Sequence, residues 1–161
     1  MKRTSFSILV LILLLAASLT QAQTPASTPK LIESGKFLFY ETKQSVGEET
    51  YQITQAANGE LTIEAKTELP FTGGEKKPLV NVTLRTMKYF SPISFSIKGT
   101  TLLDIDEDTT INIQRTTATV QDRGQNKSVE GLRYVFTMSG YLPLTLEMML
   151  VRYWAMRSWR S

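Results

Sequence analysis

The side chains that could carry out chemistry in this chain are mostly acidic, because its 161 residues include no histidine and no cysteine. Ser-His and Cys-His nucleophilic dyads, thiolate sites and histidine metal sites are therefore excluded. One acidic cluster remains, and its members are Asp104, Asp106, Glu107 and Asp108. Alternate acids resemble the start of a calcium loop, but Thr109 stands where that loop needs glycine and Arg115 where it needs a bidentate glutamate. The cluster therefore predicts a solvated turn between two strands.

A second stretch, Phe71 to Lys77, is rich in glycine and could be taken for a phosphate-binding loop. It lacks both the P-loop spacing and a following helix, so a hairpin loop is the better interpretation. A paired-carboxylate glycosidase is equally unsupported, since no carboxylate separation can be read from the sequence. We therefore predict no catalytic residue, no bound cofactor and no metal ligand.

The charge distribution argues against a nucleic-acid partner. The formal net charge is +3, and it falls to +1 when Lys2 and Arg3 are subtracted with the N-terminal leader described below. Three further positive charges, Arg152, Arg157 and Arg160, lie at the C-terminal end. Nucleic-acid binding needs clustered lysine and arginine, and no such stripe lies between the two ends.

The first residues have the pattern of a secretory signal peptide. Lys2 and Arg3 form a basic start, Ile8 to Leu15 is an unbroken apolar run, and small residues follow up to Ala22. The apolar run is too short to span a bilayer comfortably, so an uncleaved membrane anchor is the less favoured alternative. We predict a signal peptide over residues 1–22, a linker over residues 23–33, and a periplasmic or secreted protein.

Beyond the linker the pattern is that of strands for about a hundred residues. Apolar and polar residues alternate at many positions, for example in Leu61 to Lys66 and in Val80 to Arg85. A strand is predicted at Lys36 to Thr42, and Asn58-Gly59 predicts a hairpin with a type I′ turn. The fold class is therefore mainly β (α+β): a curved antiparallel meander of about seven or eight strands with one C-terminal helix, within a domain over residues 34–161.

The C-terminal helix is predicted over residues 142–157, with Pro143 in its first turn. Leu146, Met149, Leu150 and Tyr153 form one apolar stripe at helical spacing, which should cover the apolar face of the sheet. The helix is apolar on its other flank too, so we expect that flank to bind a partner or to drive self-association. The candidate partner or ligand surface consists of Met148, Val151, Arg152, Trp154, Ala155 and Trp159.

Two stretches, Ser34 to Ile53 and Ser139 to Trp154, resemble a β-rich N-terminal module that precedes the catalytic domain in some exported bacterial amidohydrolases. The resemblance rests on Gly35, on the turn and strand at Gly47 to Tyr51, and on Gly140 to Pro143 with Arg152 to Trp154. In that family the module continues past the helix with more strands, and a metal-dependent hydrolase barrel follows. The present chain ends at Ser161 and has no motif of that barrel. The resemblance therefore implies the module alone, either as the front part of a longer architecture or as a stand-alone copy.

Three functions remain open at this stage. The first is an exported accessory or interaction module without activity, and the second is a periplasmic carrier of a lipid or other apolar ligand in a half-barrel. A complete hydrolase is the least supported, because no acid/base or nucleophile pattern is present. A carrier needs a lined cavity, which large apolar side chains could either line or fill. Those side chains are Phe37, Phe39, Tyr51, Phe95, Phe136 and Trp154.

Overall fold

The computed structural model describes residues 28–69, 77–101, 105–132, 135–138 and 143–158. The predicted signal peptide, most of the glycine-rich loop, Asp104 and Trp159 lie outside these residues. No helix in the described part of the chain is long and apolar enough to cross a membrane.

The described residues form eight strands in one antiparallel sheet, followed by a helix, which confirms the predicted meander and its C-terminal helix. Each strand pairs with the next along the chain, so β1 and β8 are the two edges. The strands are β1 (Lys30–Glu41), β2 (Gln44–Gln55), β3 (Leu61–Glu68), β4 (Leu79–Thr86), β5 (Pro92–Thr100), β6 (Asp106–Gln114), β7 (Thr117–Asp122) and β8 (Gln125–Val129). The helix, α1, is Leu144–Ser158.

The alternation along each strand separates an apolar face from a polar one. Ile63 pairs with Leu84, which pairs with Phe95, so these three side chains lie on the same face across β3, β4 and β5. We call this apolar side the inner face and the polar side the outer face. A sheet with one apolar face must bury it, and α1 packs there. The buried core consists of Ile53, Leu61, Ile63, Ala65, Val80, Val82, Leu84, Phe95, Ile97, Leu146 and Met149.

The Asn58-Gly59 hairpin is confirmed, but the predicted type I′ turn is wrong. Of these two residues only Gly59 has a positive φ, +85°. The Glu60 N–H donates a hydrogen bond to Asn58 Oδ1 at 3.0 Å, and the Gly59 N–H donates one to the Ala56 carbonyl at 2.9 Å. The side chain of Asn58 thus orders the loop, while the glycine alone takes the left-handed conformation, as in hairpin loops longer than two residues.

The first strand starts earlier than the sequence indicated. β1 begins at Lys30, so its first four residues fall within the segment 23–33 that was predicted as linker. An extra residue, Ile32, lies between Leu31, which pairs with Thr54, and Glu33, which pairs with Ile53. This bulge shifts the alternation by one position, which is why the period-2 pattern does not extend to the true start of the strand.

Candidate functional site

The N-terminus of α1 is held by a carboxylate that comes from β2. The backbone N–H groups of Leu144 and Thr145 donate to the two carboxylate oxygens of Glu49, at 2.9 and 2.8 Å. The hydroxyl of Thr145 donates to Glu49 as well, and the hydroxyl of Thr67 does so at 3.0 Å. Pro143, which precedes the helix, has no side-chain oxygen that could cap it. Glu49 therefore supplies the cap from another element.

Glu49 is fully buried, which would be costly for an unpaired carboxylate. Four donors and the positive end of the helix dipole compensate for the lost hydration. Sequence reasoning did not select this residue, but a signal was present. Tyr51 and Ile53 alternate with polar residues along the sequence, and Glu49 has the same parity as these two apolar residues. An acid on an apolar face needs a partner.

A second carboxylate holds the middle of α1 to β1. The guanidinium of Arg152 donates two hydrogen bonds to Glu33, both at 2.9 Å, and the hydroxyl of Tyr51 donates a third at 2.9 Å. The Arg152 hydrogen bonds lower the pKa of the Glu33 carboxyl, against a smaller opposing effect of burial, and the Tyr51 hydrogen bond lowers it further. The same contact with Glu33 raises the pKa of Tyr51 and that of Arg152. Arg152, which was predicted to belong to the candidate partner or ligand surface, forms this ion pair with Glu33.

Gly35 of β1 leaves room for the Tyr51 ring. A Cβ atom at Gly35 would lie 2.6 Å from the hydroxyl oxygen of Tyr51. The ring also stacks on Phe37, with 5.6 Å between the ring centres. Because Gly35 has no side chain, the Tyr51 ring can take the position from which its hydroxyl donates to Glu33. Gly35 is also one of the residues on which the family resemblance rests.

The inner stripe of α1 docks on the sheet as predicted. Leu146, Met149 and Tyr153 are buried, while Leu150 is half-buried. The ring of Tyr153 lies 5.6 Å from that of Phe136, and its hydroxyl accepts a hydrogen bond from Arg157 at 2.7 Å. The helix is therefore fixed by apolar packing as well as by the two carboxylates.

The outer flank of α1 presents apolar side chains to solvent. Val151 is 67% exposed, Trp154 58% and Met156 46%, and Ala155 is also exposed. We call these four residues the helix surface. Met156 was not among the predicted residues, and Met148 does not belong to this surface. It is half-buried and packs against the core, with its sulfur 3.4 Å from a nitrogen of Arg152.

An apolar cleft of about 490 Å³ opens beside the helix surface, lined by Phe90, Arg152, Ala155 and Met156. Phe90 lies in the loop between β4 and β5 and has a φ of +63°. This left-handed backbone conformation is uncommon for a bulky residue, and residues held in such conformations often lie at functional sites. The cleft has the volume of a small-molecule site but is open to solvent.

Three of the acids predicted to form a solvated turn, Asp106, Glu107 and Asp108, lie in β6 instead, so the predicted turn is wrong for them. Asp106 accepts a hydrogen bond from the Thr100 hydroxyl at 2.9 Å, and Asp108 pairs with Lys98 at 3.1 Å. Asp106 and Asp108 are exposed, whereas Glu107 points to the other face and is half-buried. Within the described ranges, no three acids come together in a way that could hold a metal ion.

The aromatic residues that could either line a cavity or fill the core are mostly packed against other side chains. Phe95 is buried, and Phe136 packs on Tyr153. Phe37 and Phe39 are half-buried near the edge formed by β1, and Trp154 faces solvent. The inner face beneath α1 is thus filled by side chains of the sheet and the helix.

Comparisons with known proteins found no relative of this chain. The chain matches no protein-family model, no curated protein and no solved structure. The support for a function therefore comes from α1 and the residues that hold it.

Proposed function

We propose that this chain is an exported, non-catalytic interaction module, and that the helix surface binds a partner protein domain. The observation that carries the proposal is the exposure of Val151, Trp154 and Met156 on a helix whose other side is fixed to the sheet. Exposed apolar groups that form a contiguous patch are typical of interaction sites. Tryptophan and methionine are also enriched in the cores of protein interfaces.

The two carboxylates support this proposal because they make the surface rigid before a partner arrives. Glu49 fixes the first turn of α1 and Glu33 fixes the middle turn through Arg152. A preorganised helix loses little conformational entropy on binding, which favours affinity.

The resemblance to the N-terminal module of exported amidohydrolases suggests the kind of partner. In that architecture the module accompanies a metal-dependent hydrolase barrel. We propose that the helix surface contacts such a domain, and that the chain itself contributes no catalytic group. The predicted signal peptide supports an exported location for both.

A binding titration tests the proposal. The probe is a purified hydrolase barrel from an exported amidohydrolase, titrated with the protein in a calorimeter. Replacement of Val151→Lys together with Trp154→Lys should weaken binding at least tenfold, because two apolar contacts become buried charges. Val129→Lys is the matched control, since Val129 is 46% exposed and lies on β8, the sheet edge opposite β1. Equal affinity of the double variant and the wild type would contradict the proposal.

The apolar cleft favours the alternative function, a carrier of a lipid or other apolar ligand. An acyl chain could lie between Phe90 and Met156, with Ala155 leaving the necessary space. The fluorescent fatty acid cis-parinaric acid is a suitable probe. For a carrier, Ala155→Trp should abolish binding of this probe and Val129→Trp should not. Absence of saturable binding to the wild type would rule out this alternative.

A further inference from the structure

The two edges of the sheet differ in a way that the proposed function does not explain. β8 has five residues, Gln125–Val129, all of them exposed and four of them polar, with Lys127 at its centre. A short edge strand that carries a lysine resists pairing with other chains. β1 has twelve residues, and among the described residues nothing pairs with its free edge. Long apolar edge strands are templates for a further strand.

The middle of β1 has the composition of a central strand. Phe37 and Phe39 are half-buried on the inner face, while Leu38 and Tyr40 are 47% and 63% exposed on the outer face. Strands with apolar groups on both faces normally lie inside a sheet, where both faces and both edges are covered. Among the residues that the structure describes, the segment Phe37 to Tyr40 therefore has no neighbour on one side.

The strand is regular enough to accept such a neighbour. Its alternation is uninterrupted from Glu33 to Glu41, because the irregularity near Phe39 places the extra residue, Val46, in β2. The other bulge, at Ile32, lies before this stretch. Nine consecutive residues of β1 are thus available for pairing.

We propose that β1 pairs antiparallel with β1 of a second copy of this chain, with the two-fold axis at Leu38. Residues opposite each other must lie on the same face of the sheet, so the axis has to pass through a residue. With the axis at Leu38, seven residues pair, from Gly35 to Glu41. Leu38 then faces its own copy, Phe37 faces Phe39, and Lys36 faces Tyr40.

The two registers centred just before Leu38 bring like charges together, whereas an axis at Phe39 pairs only five residues of β1, from Phe37 to Glu41. An axis at Lys36 places two ammonium groups opposite each other, and an axis at Phe37 places Glu33 opposite Glu41 twice. Like charges directly opposite destabilise a pair of strands. In the register at Leu38 no two like charges are opposite, and the aromatic and Lys–Tyr contacts are favourable. Lys36 also keeps its ion pair with Glu48 of β2, at 2.8 Å, within its own sheet.

This pairing also closes the assembly. A two-fold contact uses the free edge of β1 in both copies, so the joined sheet has β8 at both ends. Because β8 is short and polar, it gives no template for a third copy. The asymmetry between the two edges is therefore the asymmetry that a closed dimer needs.

Single cysteines test the register, because the chain has no cysteine of its own. Opposite residues in an antiparallel pair have Cα atoms about 4.5–5.5 Å apart, which lies within the range of a disulfide. Leu38→Cys should therefore give a covalent dimer on mild oxidation. Lys36→Cys should not, since the two sites would be about 13 Å apart along the strands. Val129→Cys on β8, with the same exposure as Leu38, is the matched control.

Sedimentation equilibrium gives an independent readout without oxidation. The wild type should dimerise, Leu38→Lys should raise the dimer dissociation constant at least tenfold, and Val129→Lys should leave it unchanged. Circular dichroism checks that each variant remains folded. A monomeric wild type, an unchanged dimer in Leu38→Lys, or crosslinking of Val151→Cys in place of Leu38→Cys would each overturn the proposal. The last result would assign self-association to the helix surface instead.

Discussion

Glu49 has the role for α1 that a serine or an aspartate at the N-cap has for most helices, but it acts from a strand 95 residues before Leu144. A local cap can be recognised from adjacent residues in the sequence. This cap depends instead on the register of β2 and on the packing of α1 against the sheet. Thr67 and Thr145 complete the site, and neither threonine stands out in the sequence. The identity of the capping residue is therefore a consequence of tertiary structure.

The substitution Glu49→Gln should destabilise the protein by about 1–3 kcal/mol. Its amide oxygen can still accept hydrogen bonds from Thr145, but the amide nitrogen cannot accept the Leu144 N–H, so one buried donor loses its partner. Urea unfolding followed by circular dichroism measures the change. Glu48→Gln is the control: its carboxylate is exposed and, within the part of the chain that the structure describes, pairs with Lys36 alone, so a change within about 0.5 kcal/mol is expected. Equal effects of the two substitutions would disprove the capping role.

The ion pair of Glu33 should contribute stability only above acidic pH. Because the folded protein holds the pKa of Glu33 below its ordinary value of 4.5, the folded state binds this proton less tightly than the unfolded state does. The contribution is present above about pH 4.5 and disappears as the pH falls through the lowered pKa. Unfolding free energies of the wild type and of Glu33→Gln should differ by roughly 1 kcal/mol at pH 7. The two should converge as the pH falls below 4.5 and through the lowered pKa of Glu33, and a gap that widens in acid would refute the assignment.

At the scale of elements, α1 shows which features of a helix can be predicted from the periodicity of its apolar residues. The 3.6-residue spacing predicted the buried Leu146, Met149 and Tyr153 correctly, because burial of a helix stripe repeats along the chain. It did not predict that Met148 packs against the core or that Arg152 pairs with Glu33, since both contacts depend on how the helix sits on the sheet. The turn between β1 and β2 was missed for a different, local reason. Thr42 and Lys43 both take a positive φ there, and neither residue type signals that conformation.

Two adjacent aromatic residues of α1 should respond very differently to truncation. Tyr153→Ala should cost about 3–5 kcal/mol, because it removes a buried ring from between the helix and the sheet. Trp154→Ala should cost at most about 1 kcal/mol, since its ring is largely in solvent and meets Tyr153 only edge to face. Thermal and urea unfolding of both variants give the comparison. Similar losses for the two would mean that α1 is rotated relative to this description.

At the scale of the whole molecule, the alternating strands made the sheet and its order predictable, because each hairpin is encoded locally. The position of the helix over the sheet was also predictable, because the apolar face of the sheet must be buried. The early start of β1 was not, since the bulge at Ile32 breaks the pattern. The candidate site was only partly predictable: the residues of the helix surface are local, but those that hold the helix come from β1 and β2.

The purified protein should hydrolyse no amide, ester or cyclic imide above background, with or without added zinc. The reason is chemical: a chain without histidine and cysteine lacks the commonest zinc ligands and the commonest general base, which is histidine. Assays with chromogenic substrates of the three classes, before and after metal addition, measure this. Metal-dependent turnover that persists in protein purified from a second host would contradict the non-catalytic proposal.

The order of the strands bears on how the protein reaches its folded state. Each strand pairs with its sequence neighbour, so the sheet can grow hairpin by hairpin from contacts that are close along the chain. The helix instead meets Glu33 and Glu49 across separations of 119 and 95 residues. Closing such long loops costs more conformational entropy than closing a hairpin, so we expect the contacts of α1 to form last, after the folding transition state. Contacts made that late act on the unfolding rate, and the contacts of α1 would then determine how long the folded molecule persists and have little influence on how fast it forms.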